Sequence, residues 1–181
     1  RRLALTVFDA GGVLSTQKYT EYARAVLAVS AIGHDARDVG GFDLTPPLSD
    51  FAAVTRQGLN GAVFALLALD SGGYGTANAR QKYVDHIVNA ALPSGGWALT
   101  GSSADADMTA MALCALAPYR AQKSVAAAVN SALTALSAMQ LSGGGFAAYG
   151  AETCESAAQV VIALCSLGVS VTDARIVKSG K

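Results

Sequence analysis

Two kinds of helical pattern alternate along this chain, separated by glycine-rich breaks. One kind is apolar nearly all round: the segments 27–32, 64–69, 111–116 and 162–167 are built from Ala, Leu, Val, Ile, Phe, Met and Cys with only Ser30 and Ser166 intervening. A helix without a polar face belongs where neighbours cover it on more than one side. The other kind is amphipathic. Over residues 79–92, Tyr83, Val84, Ile87, Val88 and Ala91 share one side while Arg80, Lys82, Asp85 and Asn89 fall mostly on the other, which predicts a helix with one wet face. Residues 124–140 form a second, longer segment of this type. The apolar runs lack β-branched alternation and exceed usual strand length, so they read as helices rather than strands.

The punctuation between these patterns is explicit. Residues 3–9 form a short helix that Gly11-Gly12 stops, and Thr16 or Thr20 starts the next, 19–32, which Gly33 ends as a left-handed cap. A polar turn, 34–38, leads into Val39-Gly40-Gly41-Phe42, a glycine-plus-aromatic break. Thr45 followed by Pro46 and Pro47 predicts an N-cap with proline in the first turn of a helix reaching about Gln57. Helices follow at 60–69, 79–92, 104–117, 124–140 and 154–167, separated by Ser71-Gly72-Gly73, Pro93-Ser94-Gly95-Gly96, Pro118 and Ser142-Gly143-Gly144-Gly145, with Gly168 closing the last. Residues 173–181 carry no clear element.

Superposing the apolar segments aligns Ala28, Ala65, Ala112 and Ala163, at steps of 37, 47 and 51 residues. Steps of about 40 to 50 residues suit helix pairs. The expected fold is therefore all-α: a curved two-layer array of helix-pair repeats with apolar helices inside and amphipathic helices outside. At 181 residues, one domain spanning 1–181 is the expected organisation.

Composition removes several function classes. Thirteen basic and thirteen acidic side chains cancel, and no Lys/Arg cluster supplies the footprint of a nucleic-acid binder. No uninterrupted apolar run approaches the roughly 20 residues of a membrane span. Cys114, Cys154 and Cys165 have no CxxC spacing and only His34 and His86 as co-ligands, so neither a metal site nor a cofactor is expected. Cys114 and Cys165 read as small hydrophobes within apolar helices, and His34 and His86 as solvated.

The breaks Gln140-Leu141-Ser142-Gly143-Gly144-Gly145-Phe146 and Leu92-Pro93-Ser94-Gly95-Gly96-Trp97 resemble the glutamine-to-tryptophan repeats of the squalene cyclase and protein prenyltransferase superfamily. That resemblance implies an α/α toroid, of which this chain would form part. Asp105-Ala106-Asp107-Met108-Thr109-Ala110 is similar to the Asp-x-Asp-Asp-Thr-Ala motif of class II terpene cyclases, with Met108 at the place of the last aspartate. By that match Asp107 would be the general acid acting on an isoprenoid. A likeness covering nearly the whole chain is to the prenyltransferase-like domains of bacterial secreted and cell-surface proteins, carried by Thr20-Glu21-Tyr22-Ala23-Arg24, Gly96-Trp97-Ala98-Leu99, 107–113 and 155–160. It implies an extracellular or cell-surface module within a larger protein. Cobalamin carriers share the toroid, which adds corrinoids to isoprenoids as ligand classes, beside a protein or cell-wall partner.

The polar residues at the starts of the apolar helices are the candidate ligand-binding set: Glu21, Arg24, Asn60, Asp105, Asp107, Glu155 and Gln159, with Thr20, Gln57 and Ser156 beside them. Glu155 and Gln159 share a helix face, as Glu21 and Arg24 do. The same groups would equally satisfy hydrogen bonds between adjacent helices, and Asp105 at a helix start reads as a cap. Asp105 and Asp107 lie about 200° apart around a helix and do not form a carboxylate pair. Trp97 and Phe146 read as packing residues stacked on the preceding helix; Tyr74, Tyr119 and Tyr149 read as contacts to something outside. Three functions follow: a non-catalytic binding module, a class II cyclase with Asp107 as acid, or structural spacing between other domains. With 7% aromatic residues, few of them on the apolar helices, the lining that stabilises carbocations is sparse.

Overall fold

The computed structural model describes residues 2–148 and 150–177. Tyr149 lies outside them. The fold is all-α apart from one hairpin, and the chain divides into two compact units, Arg1–His86 and Ile87–Lys181.

The first unit contains α1 (Arg2–Asp9), α2 (Tyr19–Ala31), α3 (Phe51–Thr55), α4 (Gly58–Ser71) and most of α5 (Ala77–Asn89). The apolar helices α2 and α4 pack on each other, with Tyr22, Val26, Val29, Val63, Leu66 and Leu69 buried. α2 ends as its sequence predicts: Gly33 takes φ +78°, and the His34 N–H reaches back to the Val29 carbonyl at 3.1 Å. It starts differently. Neither threonine caps it; Lys18 is the N-cap residue, and the Thr20 N–H, one of the donors a helix start leaves free, is taken by Gln57 Oε1 at 3.0 Å.

The expected helix after Thr45 is split. A 3-10 turn covers Pro46–Ser49, and α3 begins only at Phe51, capped by Asp50, whose Oδ1 accepts the Ala53 N–H at 3.0 Å. The Thr45 hydroxyl makes no cap bond and instead donates to Asp43 Oδ1 at 2.8 Å. Behind α3, the buried Tyr83 of α5 packs its ring on Phe51 and donates its hydroxyl to the Leu48 carbonyl at 2.7 Å. Burial pushes that phenol well above its ordinary pKa. His86 is not solvated as expected; its ring stands edge-on to Phe51 at 5.6 Å, half-buried.

The second unit contains α6 (Ala106–Leu116), α7 (Lys123–Met139), the strands β1 (Phe146–Ala148) and β2 (Ala151–Thr153), and α8 (Cys154–Leu167). α6 packs on both α7 and α8. The two strands pair antiparallel with Phe146 opposite Thr153 and Ala148 opposite Ala151. This hairpin escaped the sequence pattern because each strand is three residues long, too short to show alternation.

The two glycine breaks of this unit fold alike. At the first, the Leu92 N–H donates to the Gly96 carbonyl at 2.9 Å and the Gly95 N–H to the Leu92 carbonyl at 2.8 Å. Forty-nine residues on, Leu141 donates to Gly145 and Gly144 to Leu141, both at 2.9 Å. Gly95 and Gly144 carry φ +87° and +92°, conformations that a side chain resists. After each break an aromatic residue is buried, Trp97 or Phe146, and its backbone pairs with the residue that caps the next apolar helix. Asp105 donates its N–H to the Trp97 carbonyl at 3.0 Å and caps α6; Thr153 pairs with Phe146 and caps α8.

Trp97 is fully buried, and its indole N–H donates to the Ile87 carbonyl at 2.7 Å, tying the ring to the preceding helix as expected. Thr109, also fully buried, closes the corner from the other side: its hydroxyl accepts the Trp97 N–H at 3.0 Å and donates to the Trp97 carbonyl at 3.1 Å. Replacing Thr109 by Val keeps the shape but leaves a buried donor unpaired, a loss of about 2 kcal/mol. Trp97 is the sole tryptophan, so urea denaturation followed by its fluorescence measures this directly. A loss below about 0.5 kcal/mol would show that the clasp is dispensable.

Candidate functional site

The Asp-x-Asp motif sits at the start of α6, where backbone N–H groups lack intrahelical partners. Asp105 serves them. Its Oδ1 accepts the Met108 N–H at 2.7 Å and its Oδ2 the Leu99 N–H at 2.9 Å, so one carboxylate both caps α6 and holds the loop after Trp97. Asp107, in the first helical turn, is half-buried, flanked by the buried Ala106 and Met108; its Oδ1 is shielded from solvent and has no hydrogen-bond partner. The two carboxylates therefore have unlike environments, in keeping with their angular separation on a helix.

Other polar groups of the expected set divide between the two units. In the first, Arg24 Nη1 lies 3.6 Å from Glu21 Oε1, the shared face the i,i+3 spacing implies, with both side chains largely exposed. An exposed pair of this kind adds little to stability. Asn60 is half-buried in the first turn of α4, and Gln57 is engaged with α2 as described above. In the second unit, Glu155 is exposed in the first turn of α8, and Gln159 directs its amide to Cys114 Sγ of α6 at 3.9 Å. Ser156 is buried and bonded to Thr153, its N–H and its hydroxyl both meeting the Thr153 hydroxyl.

Glu155 has its carboxyl held below the ordinary range, first by its own backbone N–H and then by the Cys154 thiol at 3.2 Å. Its contribution to stability is thus present above the ordinary glutamate pKa and fades as pH falls through the lowered one. Cys114, half-buried between α6 and α8, has its thiol pushed upward by burial. All three cysteines are free thiols, and Cys165 is exposed rather than the core hydrophobe its neighbours suggest. It lies on a side of α8 where Val161 and Ile162 are 46% and 53% exposed, so this apolar helix is not covered all round.

Two tyrosines need separate mention. Tyr74 is buried rather than turned outward: its hydroxyl accepts the Ala36 N–H at 3.0 Å and lies 3.3 Å from Ser30 Oγ. Arg80 Nη1 donates to its carbonyl at 2.7 Å. Tyr119 is half-buried. His34 is exposed, as its polar turn implies. Among the described residues no group of three or more His, Cys, Asp or Glu side chains could hold a metal ion, and no helix is long and apolar enough to cross a membrane.

What sequence reasoning missed is what Thr109, Gln57 and Tyr74 bond to. A threonine inside an apolar helix is the one visible signal for the first; nothing local marks the other two. Comparison with protein-family models, with curated proteins and with solved structures finds no match to this chain.

Two consequences are measurable. Asp105→Ala loses a cap and a loop bond and should destabilise by about 1 to 2 kcal/mol, whereas Asp105→Asn, a good cap, retains most of it. Equal losses in chemical denaturation would refute the capping role. Cys154→Ala should move the Glu155 titration midpoint up toward the ordinary value of about 4.3 in an NMR titration; an unmoved midpoint would leave the thiol without influence.

Proposed function

We propose that the chain is part of an α/α toroid and serves as a non-catalytic, ligand- or partner-binding helical-repeat module of a bacterial extracellular or cell-surface protein. The observation that carries this reading is the use made of the motif at the start of α6. Both oxygens of Asp105 are taken by backbone N–H groups and the Thr109 hydroxyl by Trp97, so the residues that resemble a cyclase's motif serve the fold. Polar groups remain accessible at helix starts within each unit, Glu21 with Arg24 on α2 in the first and Glu155 on α8 in the second, and each is taken separately as a place for a ligand's polar end. Asn60, Asp107 and Gln159 complete the set, and an isoprenoid, a corrinoid or a protein or cell-wall partner are the classes to test.

Native mass spectrometry and thermal-shift screening with isoprenoids, corrinoids and cell-wall fragments test the reading. A ligand at a hundredfold excess over its Kd stabilises by about 2.7 kcal/mol, enough to raise Tm visibly. Glu21→Ala or Glu155→Ala should reduce that shift, measured for each variant against its own unliganded Tm. A flat response across all classes would overturn the proposal.

One observation favours a second reading. The Oδ1 of Asp107 is shielded and unpartnered, so of the motif's two aspartates this is the one the fold leaves uncommitted, and it stands at the place of the class II cyclase acid. Incubation with squalene or geranylgeranyl diphosphate decides it: a cyclised product that is lost in Asp107→Asn and kept in Asp105→Asn establishes the enzyme.

A further inference from the structure

A surface groove of about 440 Å³ runs along the N-terminal end of α2, with Tyr19, Tyr22, Pro46, Pro47 and Asp50 among its lining residues. We infer that it is a docking groove for an extended, proline-rich segment of a partner protein that carries a basic residue. The site uses none of the helix-start residues proposed above, so either can fail while the other stands.

The lining joins rings to a few polar groups. The rings of Tyr19 and Tyr22 lie 6.2 Å apart and are inclined at 40°, and the pyrrolidine rings of Pro46 and Pro47 line the same groove. Tyr22 is fixed in place, buried, with its hydroxyl accepting the Leu14 N–H at 3.0 Å; Tyr19 is half-exposed. Aromatic grooves of this kind take polyproline II segments, which arrive already extended and so lose little conformational entropy on docking.

The polar groups narrow the choice of occupant. Ser15 Oγ already accepts the Gln17 and Lys18 N–H groups, at 3.2 and 2.8 Å, and the Tyr22 hydroxyl accepts the Leu14 N–H. Each of these hydroxyls keeps its proton to donate, which suits a segment whose backbone offers carbonyls. Proline brings no N–H of its own and asks for none. Asp50 is the one charged residue in the lining. It is exposed, with Oδ1 spent on the α3 cap, so its negative charge selects a ligand carrying Lys or Arg and disfavours phosphates and acidic peptides.

The test uses the full chain and a dye-labelled nine-residue peptide of eight prolines with a terminal arginine, read by fluorescence anisotropy. The peptide should bind, and exchanging its arginine for glutamate should weaken binding about tenfold. Tyr19→Ala should weaken it about tenfold or more, and Tyr19→Phe, which keeps the ring, should restore it. Asp50→Asn keeps the α3 cap while removing the charge; it should weaken the arginine peptide and flatten its salt dependence. Matching thermal melts of the variants exclude misfolding as the cause. The inference is overturned if the peptide does not bind, if Tyr19→Ala binds as well as the parent, or if a chito- or cello-oligosaccharide binds the groove in its place.

Discussion

Turning the chain from one helix into the next buries backbone that no helix can satisfy, and the corner at residues 92–109 shows how this is met. The Trp97 peptide lies in the core, away from water, where an unpaired N–H or carbonyl costs about 1 to 3 kcal/mol. One hydroxyl, that of Thr109, serves it as both acceptor and donor, while the Asp105 N–H meets the same carbonyl. These bonds fix where α6 starts relative to the indole. They also dictate the glycines: a Cβ on Gly96 would stand 2.8 Å from the Thr109 hydroxyl, and one on Gly95 would stand 2.6 Å from the Ser131 carbonyl of α7. Close approach and positive φ each favour glycine at this corner. Its second copy before α8 keeps the turn and the buried ring but pairs a short hairpin where the first uses a loop.

The first unit meets the same demand with long side chains reaching across it. Gln57 satisfies the start of α2, Tyr83 the Leu48 carbonyl, and Tyr74 the Ala36 N–H. Helices rich in alanine approach closely and present few polar atoms of their own, so each backbone group left over at a loop must find a partner from elsewhere. A handful of Tyr, Gln and Asp side chains, placed where loops enter the core, supply those partners.

This division of labour shapes the functional reading. A residue already saturated by the fold has little freedom to do chemistry, and Asp105, Thr109, Gln57 and Tyr74 are all in that state. What stays accessible is of two sorts: charged groups at helix starts, and flat rings around the groove beside α2. Asp107 alone among the motif's carboxylates retains an unengaged oxygen.

Period and punctuation in the sequence were enough to determine the helical class, the positions of the apolar and amphipathic segments, the span of α8 and the capping by Gly33 and Gly168, because each of these depends on neighbours within about five residues. Asp105 was legible as a cap for the same reason. The burial of Tyr74, the contact of His86 with Phe51, the exposed side of α8 and the partners of Thr109 and Gln57 were not, since the groups involved are from 12 to 44 residues apart or depend on what another helix leaves uncovered. Local propensity records what a residue can do. Which of its hydrogen bonds it makes is decided only when packing brings the remaining donors and acceptors within reach.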